Sequence, residues 1–443
     1  MRREAIRDAT ASFSFRPRLK GLAGVAVFAA LGLFAAGCSG GSTPTAGQGR
    51  GHAGASAAAN GVGLSIRPAS GSIDRHPNRG ITVTASGGRI SRVVVHTRGD
   101  RVEGRLNATG TVWHSAWALN VSRRYRVTAT GVGMSGERVT RTSSFRTFTP
   151  AKTFSTRIVE GYHQTYGVGM PIILYFDRPI SNRRAVERAL EVRTSKPVVG
   201  AWYWDGRCRL APECLYFRPR RYWRPHTRVS FTAHLNGVRG AHGVYGDHTL
   251  KQSFRIGRSV MAVVSTSRHY MNVYRGGKRF AHWPISSGRP GDDTPNGTYL
   301  TIEKANPVQM TGPGYSISVP WSVRITWSGE YLHDAYWSVG DQGFANVSHG
   351  CVNMSPANAE TFYKMAVPGD PVKIKGSPRS GQWDNGWTMW FLPWRRYWRG
   401  SALNKAVRTG PSGSEFVSPR ATARRHRDRA PPQASNSHNR RSS

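Results

Sequence analysis

The chain has 443 residues, 38% hydrophobic and 10% aromatic, with 50 Gly and 26 Pro. This length allows two to four domains, and the apolar content excludes a disordered or collagen-like chain. Lys and Arg number 63 against 24 Asp and Glu, a net charge of +39. Residues 1–37 hold six basic and two acidic residues and 401–443 hold nine and two, which leaves +28 on residues 38–400. Such a surface seeks a polyanion, which leaves nucleic acid, an anionic membrane face or an acidic cell-wall polymer as partners.

Taken from the N-terminus, Arg2, Arg3, Arg7, Arg16, Arg18 and Lys20 precede an uncharged apolar run, Gly21 to Gly37. The run is short for a spanning helix and fits the apolar stretch of an export signal. It ends Ala35-Ala36-Gly37-Cys38, which resembles a bacterial lipobox with Ala35 in place of the usual Leu. The box implies a lipidated Cys38 on an exported protein facing the cell wall; an ordinary cleaved signal is the other reading. Export of either kind argues against DNA binding. Residues 38–60, rich in Gly, Ser, Ala and Thr, read as a flexible tether.

Residues 61–150 alternate with period two in Ile81–Ala85, Tyr125–Ala129 and Phe145–Phe148, with a buried-strand run at Val93–Val95. Residues 151–257 repeat the texture in Ile172–Phe176, Trp202–Trp204, Leu215–Phe217 and Val229–Ala233. The tripeptide Ser-Phe-Arg closes both stretches, at Ser144–Arg146 and Ser253–Arg255. Two tandem immunoglobulin-like β-sandwiches are expected. Residues 258–377 form a different, β-rich unit. A hairpin is predicted across Gly276-Gly277, with strands at Thr298–Ile302, Val323–Trp327 and Val372–Ile374. One main helix starts after Ser355, a potential cap, with Pro356 in its first turn. Ala359, Phe362, Tyr363 and Ala366 share a face, and Pro368-Gly369-Asp370 stops it. Residues 378–400 carry five Trp among seven aromatics. They read as a flap packed on its neighbours or as a stacking surface for sugars. Residues 401–443 read as a disordered basic tail.

The four cysteines are Cys38, Cys208, Cys214 and Cys351. Cys208 and Cys214 share a loop and pair as a disulfide in an oxidising compartment. A metal pair is the rival, but no nearby His or second Cys pair completes a tetrahedral set. Cys351 is left over, in Ser348-His349-Gly350-Cys351-Val352-Asn353, with His333 eighteen residues upstream. A cysteine nucleophile needs a base, a group that orients the base, and donors for the oxyanion. His333 or His349 can serve as the base. The backbone N–H groups of Gly350 and Cys351 can serve as the donors.

The motif Ser-His-Gly-Cys-x-Asn, preceded by a His at this distance, resembles the YkuD-type L,D-transpeptidases. Ser286-Ser287-Gly288, Thr294–Tyr299, Tyr315 and Trp337–Gly340 extend the likeness. The order of lipobox, two immunoglobulin-like domains, catalytic domain and Trp-rich flap resembles the mycobacterial-type members. The resemblance implies that Cys351 is the nucleophile and His333 its base, with His349 shaping the site and Gly350 and Cys351 forming the oxyanion hole. Tyr315, Trp337, Ser348 and Asn353 would line or position the substrate. Asp334 replaces a frequent Ser. If that residue orients His333 through its backbone carbonyl the change is harmless, whereas an orienting carboxylate would alter the pH profile. No metal or cofactor is implied. The partners implied are peptidoglycan stem peptides as donor and acceptor, and carbapenems as inhibitors. Alternatives are an L,D-carboxypeptidase or D-amino-acid exchange activity, and a non-catalytic wall-binding lipoprotein.

Overall fold

The computed structural model describes residues 61–418, apart from residues 100, 313 and 314. The export signal, the tether and Cys38 lie outside the described residues. The first module sandwiches two sheets. One holds strands Gly63–Arg67, Thr82–Ser86, Val112–Ser115 and Gly104–Leu106; the other holds Gly88–His96, Arg124–Gly133 and Arg138–Arg146. The alternation seen in sequence is what closes the core. Tyr125, Val127 and Ala129 point inward with Val83 and Phe145, while Arg124 and Arg126 point to solvent.

The second module is built on a ten-stranded sheet. Strand Ile172–Phe176 is buried along its whole length, because both of its faces are covered. Ile172, Leu174 and Phe176 face the module's own core. Ile173 and Tyr175 face the C-terminal aromatic segment. That segment is packed between units. Trp387, Met389 and Tyr397 join Ile173 and Tyr216 of the second module and Leu300 and Ile302 of the third in one cluster. Arg218, 2% exposed, sits 4.2 Å from the Tyr397 ring and 4.3 Å from the Trp390 ring, and its guanidinium donates to the Leu392 carbonyl at 2.7 Å. A guanidinium is weakly enough hydrated to be held in such an aromatic cage. Cys208 and Cys214 form the expected disulfide.

The tail expectation is corrected from residue 401. Ala406–Gly410 pairs between strands Leu190–Thr194 and Val198–Asp205, and Gly413–Val417 folds back on it. The physical reason is an open slot in the sheet. Ala406, Val407 and Thr409 are buried there, and the Thr409 and Thr194 hydroxyls meet at 2.8 Å. Two of the nine basic residues counted in 401–443, Lys405 and Arg408, thus belong to this folded hairpin region.

The third unit sets a five-stranded sheet (Lys278–Pro284, Tyr270–Arg275, Val260–Ser265, Pro371–Lys375, Gly297–Leu300) beside a four-stranded one. The second sheet runs Glu303–Ala305, Ser322–Arg324, Tyr331–Asp334, Val352–Met354. Helix Pro356–Met365 packs on it through Ala359 and Phe362. Ser355 occupies the N-cap position, but its side chain makes no cap hydrogen bond. Pro356, at the first helical position, presets the backbone for the helix and removes one of its unpaired amides. The predicted strand Val323–Trp327 ends at Arg324. The Arg324 guanidinium bonds the carbonyls of Thr326 and Trp327, which bends the chain out of the sheet.

Candidate active site

Strands Tyr331–Asp334 and Val352–Met354 pair in parallel, with Leu332 opposite Val352 and His333 opposite Asn353. Leu332, Val352 and Met354 enter the core, so the period of two turns His333, Asn353 and the preceding Cys351 to the other face. With His333 opposite Asn353, Cys351 falls two residues before that partner on the same face. The core pattern of the strands thus puts nucleophile and base on one face.

His333 is 3% exposed, and its Nδ1 lies 2.6 Å from the Asp334 carbonyl oxygen. A carbonyl only accepts, so Nδ1 carries the proton and Nε2 keeps its lone pair for the thiol. The orienting group is therefore the backbone of Asp334. Its own carboxyl is buried, with Oδ1 lacking a partner, and burial raises its pKa against a bond from the Tyr336 amide. Burial pulls the His333 imidazole down to about 4, against the Asp334 carbonyl bond. Burial also pushes the Cys351 thiol up to about 12; the Tyr331 amide opposes this and the Glu330 carboxylate adds to it. The thiol donates to the Gly329 carbonyl at 3.7 Å and accepts the Tyr331 N–H at 3.4 Å. At neutral pH the resting pair is a neutral imidazole and a protonated thiol.

The loop before Cys351 is tied by Ser348. Its hydroxyl donates to the Cys351 carbonyl at 2.7 Å and accepts the Gly350 N–H at 3.1 Å. At rest the Gly350 amide is engaged inside the loop, while the His349 and Cys351 amides make no hydrogen bond among the described residues. Gly350 is needed for its backbone, at φ +119°, a conformation side chains resist. Its carbonyl takes the Thr294 hydroxyl at 2.8 Å. Asn353 bonds the Ser338 hydroxyl through Nδ2 at 2.9 Å, and its Oδ1 is buried without a partner.

His349 is exposed and packs its ring 5.1 Å from Tyr315. It shapes the rim and makes no recorded contact with the sulfur. Burial, with the Cys351 and Asp292 charges adding to it, raises the Tyr315 phenol. Trp337 stands 6.0 Å from the His333 ring and is 46% exposed. Its ring meets Tyr336 edge-on at 5.0 Å, and Val339 and Phe344 of the same segment are also exposed.

Sequence reasoning missed Glu330. It is 7% exposed, accepts hydrogen bonds from the Thr326 and Ser328 hydroxyls, and lies 4.0 Å from the Arg379 guanidinium. A Cβ on Gly350 would come 3.6 Å from its Cγ. No sequence pattern marks it: Thr326 to Glu330 form a turn closed by the Ile325 N–H on the Glu330 carbonyl at 3.0 Å, and the hydroxyls meet the carboxylate through that turn.

Comparison with known proteins agrees with this geometry. Residues 259–374 match the YkuD family, described as the L,D-transpeptidase catalytic domain, and residues 73–239 match a bacterial Ig domain. L,D-transpeptidase 2 of Mycobacterium tuberculosis is 32% identical over 70% of this chain and 79% of its own length. L,D-transpeptidase 5 of the same species is 34% identical over 77% of each chain. This chain belongs to the L,D-transpeptidase family. An L,D-transpeptidase solved in complex with imipenem is 34% identical, with a TM-score of 0.42, over 49% of this chain and 97% of that one. One from Mycobacterium smegmatis is 31% identical, with a TM-score of 0.41, over 50% and 99%. As a family member the chain is an enzyme. The bacterial Ig match runs continuously across residue 150, the junction between the two sandwich modules.

Proposed function

We propose that this L,D-transpeptidase forms 3→3 cross-links between peptidoglycan stem peptides, outside the membrane and anchored through a lipid on Cys38. The observation that carries the reading is the His333 imidazole, anchored at Nδ1 and sharing a strand face with Cys351. The donor is a tetrapeptide stem. As the Cys351 sulfur attacks the carbonyl of its third residue, the thiol proton passes to Nε2 of His333. The oxyanion takes the Cys351 amide. The C–N bond to the terminal D-Ala breaks, and His333 returns the proton to the departing amine. A thioester remains on Cys351. The side-chain amine of a second stem's third residue then attacks, giving up a proton to His333. The C–S bond breaks, the new amide forms, and the sulfur recovers its proton. A neutral resting pair suits this cycle, since charge develops only when substrate has displaced water from the cleft.

A carbapenem, which imitates the acyl donor, would acylate the same sulfur. Incubation with disaccharide-tetrapeptide tests the reading. A cross-linked dimer plus free D-Ala is expected, absent in Cys351→Ala. Release of D-Ala without dimer would make the enzyme an L,D-carboxypeptidase. Exchange into the stem of an added D-amino acid would identify the third activity. Unchanged substrate would leave a wall-binding lipoprotein. The anchor is tested by metabolic labelling with a fatty acid, which Cys38→Ala should abolish.

A further inference from the structure

The second module carries a basic groove that shares no lining residue with the Cys351 site. Val229, Phe231, Phe254, Ile256 and Val192 fill the module's core, so the alternating residues Arg228, Ser230, Ser253, Arg255 and Arg193 face outward. In the sheet Arg228 stands directly opposite Arg255, and Ser230 opposite both Ser253 and Arg193. These five residues and His163 line a cavity of about 310 Å³. Arg193 is paired with Glu191 at 2.9 Å. Arg228 and Arg255 have no carboxylate partner among the described residues, and the Ser230 and Ser253 hydroxyls have no hydrogen bond there.

Two guanidinia directly opposed across a strand pair repel, their Cβ atoms being roughly 5 Å apart. We propose that this groove is a binding site for phosphoryl groups of an anionic wall polymer. The donor set argues for phosphate. A carboxylate has two coplanar oxygens, which one guanidinium fork satisfies. Two forks from adjacent strands, with two hydroxyls beside them, match a group whose oxygens point in several directions. A second cavity of about 590 Å³ opens where these strands end, two residues before Arg228 and three after Arg255. It is lined by Arg258, Arg275, Lys278 and Arg279 without a carboxylate, and Arg275 again faces Lys278 across its hairpin. The same donor chemistry thus recurs in a second basic cavity at the start of the catalytic unit. Assigning the polymer to the wall rests on the exported reading above; the binding itself does not.

The test is equilibrium binding of the purified full chain to long-chain polyphosphate, with poly-L-glutamate as the carboxylate arm. R228Q/R255Q is expected to weaken polyphosphate binding about tenfold and flatten the log–log salt dependence by roughly one to two units. R138Q/R141Q, two exposed arginines of the first module, should change it less than twofold. Because R228Q/R255Q relieves a repulsion, its melting temperature should equal or exceed the parent's. R275Q/K278Q, on another sheet, should also weaken polyphosphate binding. Turnover of a soluble disaccharide-tetrapeptide should be unchanged in both variants, so failure here is distinct from failure of the enzymatic reading. Equal loss in R228Q/R255Q and R138Q/R141Q would overturn the site in favour of net charge alone. Polyglutamate bound as tightly as polyphosphate, and lost in R228Q/R255Q, would overturn the phosphoryl assignment.

Discussion

The Cys351–His333 cleft and the Arg228–Arg255 groove treat charge in opposite ways. In the cleft, burial keeps imidazole and thiol neutral, and polar groups are positioned by backbone carbonyls and hydroxyls. In the groove, the Arg228 and Arg255 guanidinia stay exposed and without a carboxylate partner among the described residues. A desolvated site answers to pH and hardly to salt. A solvated cationic surface answers to salt and hardly to pH. The largest expected effect concerns the first. Cys351→Ala should abolish cross-linking and the carbapenem adduct seen by mass spectrometry. His333→Gln should lower the rate of acylation by roughly 10²–10⁴-fold. Turnover of a small soluble substrate should change less than twofold between 50 and 300 mM salt, whereas polyphosphate binding should fall steeply across that range.

A second contrast, between the nucleophile loop and the C-terminal strands, gives the next effect and explains what the sequence could tell. The loop is local: six consecutive residues carry the nucleophile, its glycine and the Ser348 tie, so the site was legible from residue types. Its parallel pairing with the His333 strand was not legible, because neither short strand was marked in the sequence and only long-range register joins them. The segment 401–417 is the reverse. Nothing in Ala406–Gly410 announces that it completes a sheet more than 200 residues upstream, because long-range pairing decides it. Glu330 and the engaged Gly350 amide were likewise invisible, since each depends on which neighbour takes which hydrogen bond. Truncation at residue 400 should destabilise the protein by on the order of 5 kcal/mol, read as a fall in the urea midpoint. It removes buried Leu403 and Val407. It also strips buried Glu187 of its bonds from the Ser401 hydroxyl and the Ala402 amide, leaving only the Trp204 indole. Truncation after residue 418 should leave the midpoint unchanged. Any loss of wall retention then belongs to the basic residues beyond.

The pH response of the cleft comes next in size. His333 has a native pKa of about 4 against an ordinary 6.5. Below 6.5 the unfolded chain binds a proton that the native state refuses, so stability falls as pH drops from 6.5 to 4. The full contribution is about 3 kcal/mol, reached near pH 4. His333→Gln should lose less stability over that interval than the parent by this amount. Parallel curves in urea titrations at pH 7 and pH 4.5 would mean that the ring is solvated in solution. Cross-linking should likewise not fall from pH 7 to pH 5.5 through protonation of His333, because the base stays neutral there.

The smallest effect isolates Glu330, whose charge works against the nucleophile. Glu330→Gln keeps the shape and can still accept from Thr326 or Ser328, but removes a negative charge beside a sulfur that must become anionic. The thiol pKa should fall, and the second-order rate of iodoacetamide alkylation at pH 8 should rise, by roughly three- to tenfold. A packing role alone predicts a lower melting temperature with no directed change in alkylation. An electrostatic role predicts the faster alkylation, most of all at low salt. The carboxylate also faces Arg379. Arg379→Gln should therefore shift alkylation the opposite way, by a smaller factor because the guanidinium is 4.0 Å from Glu330 and about half exposed.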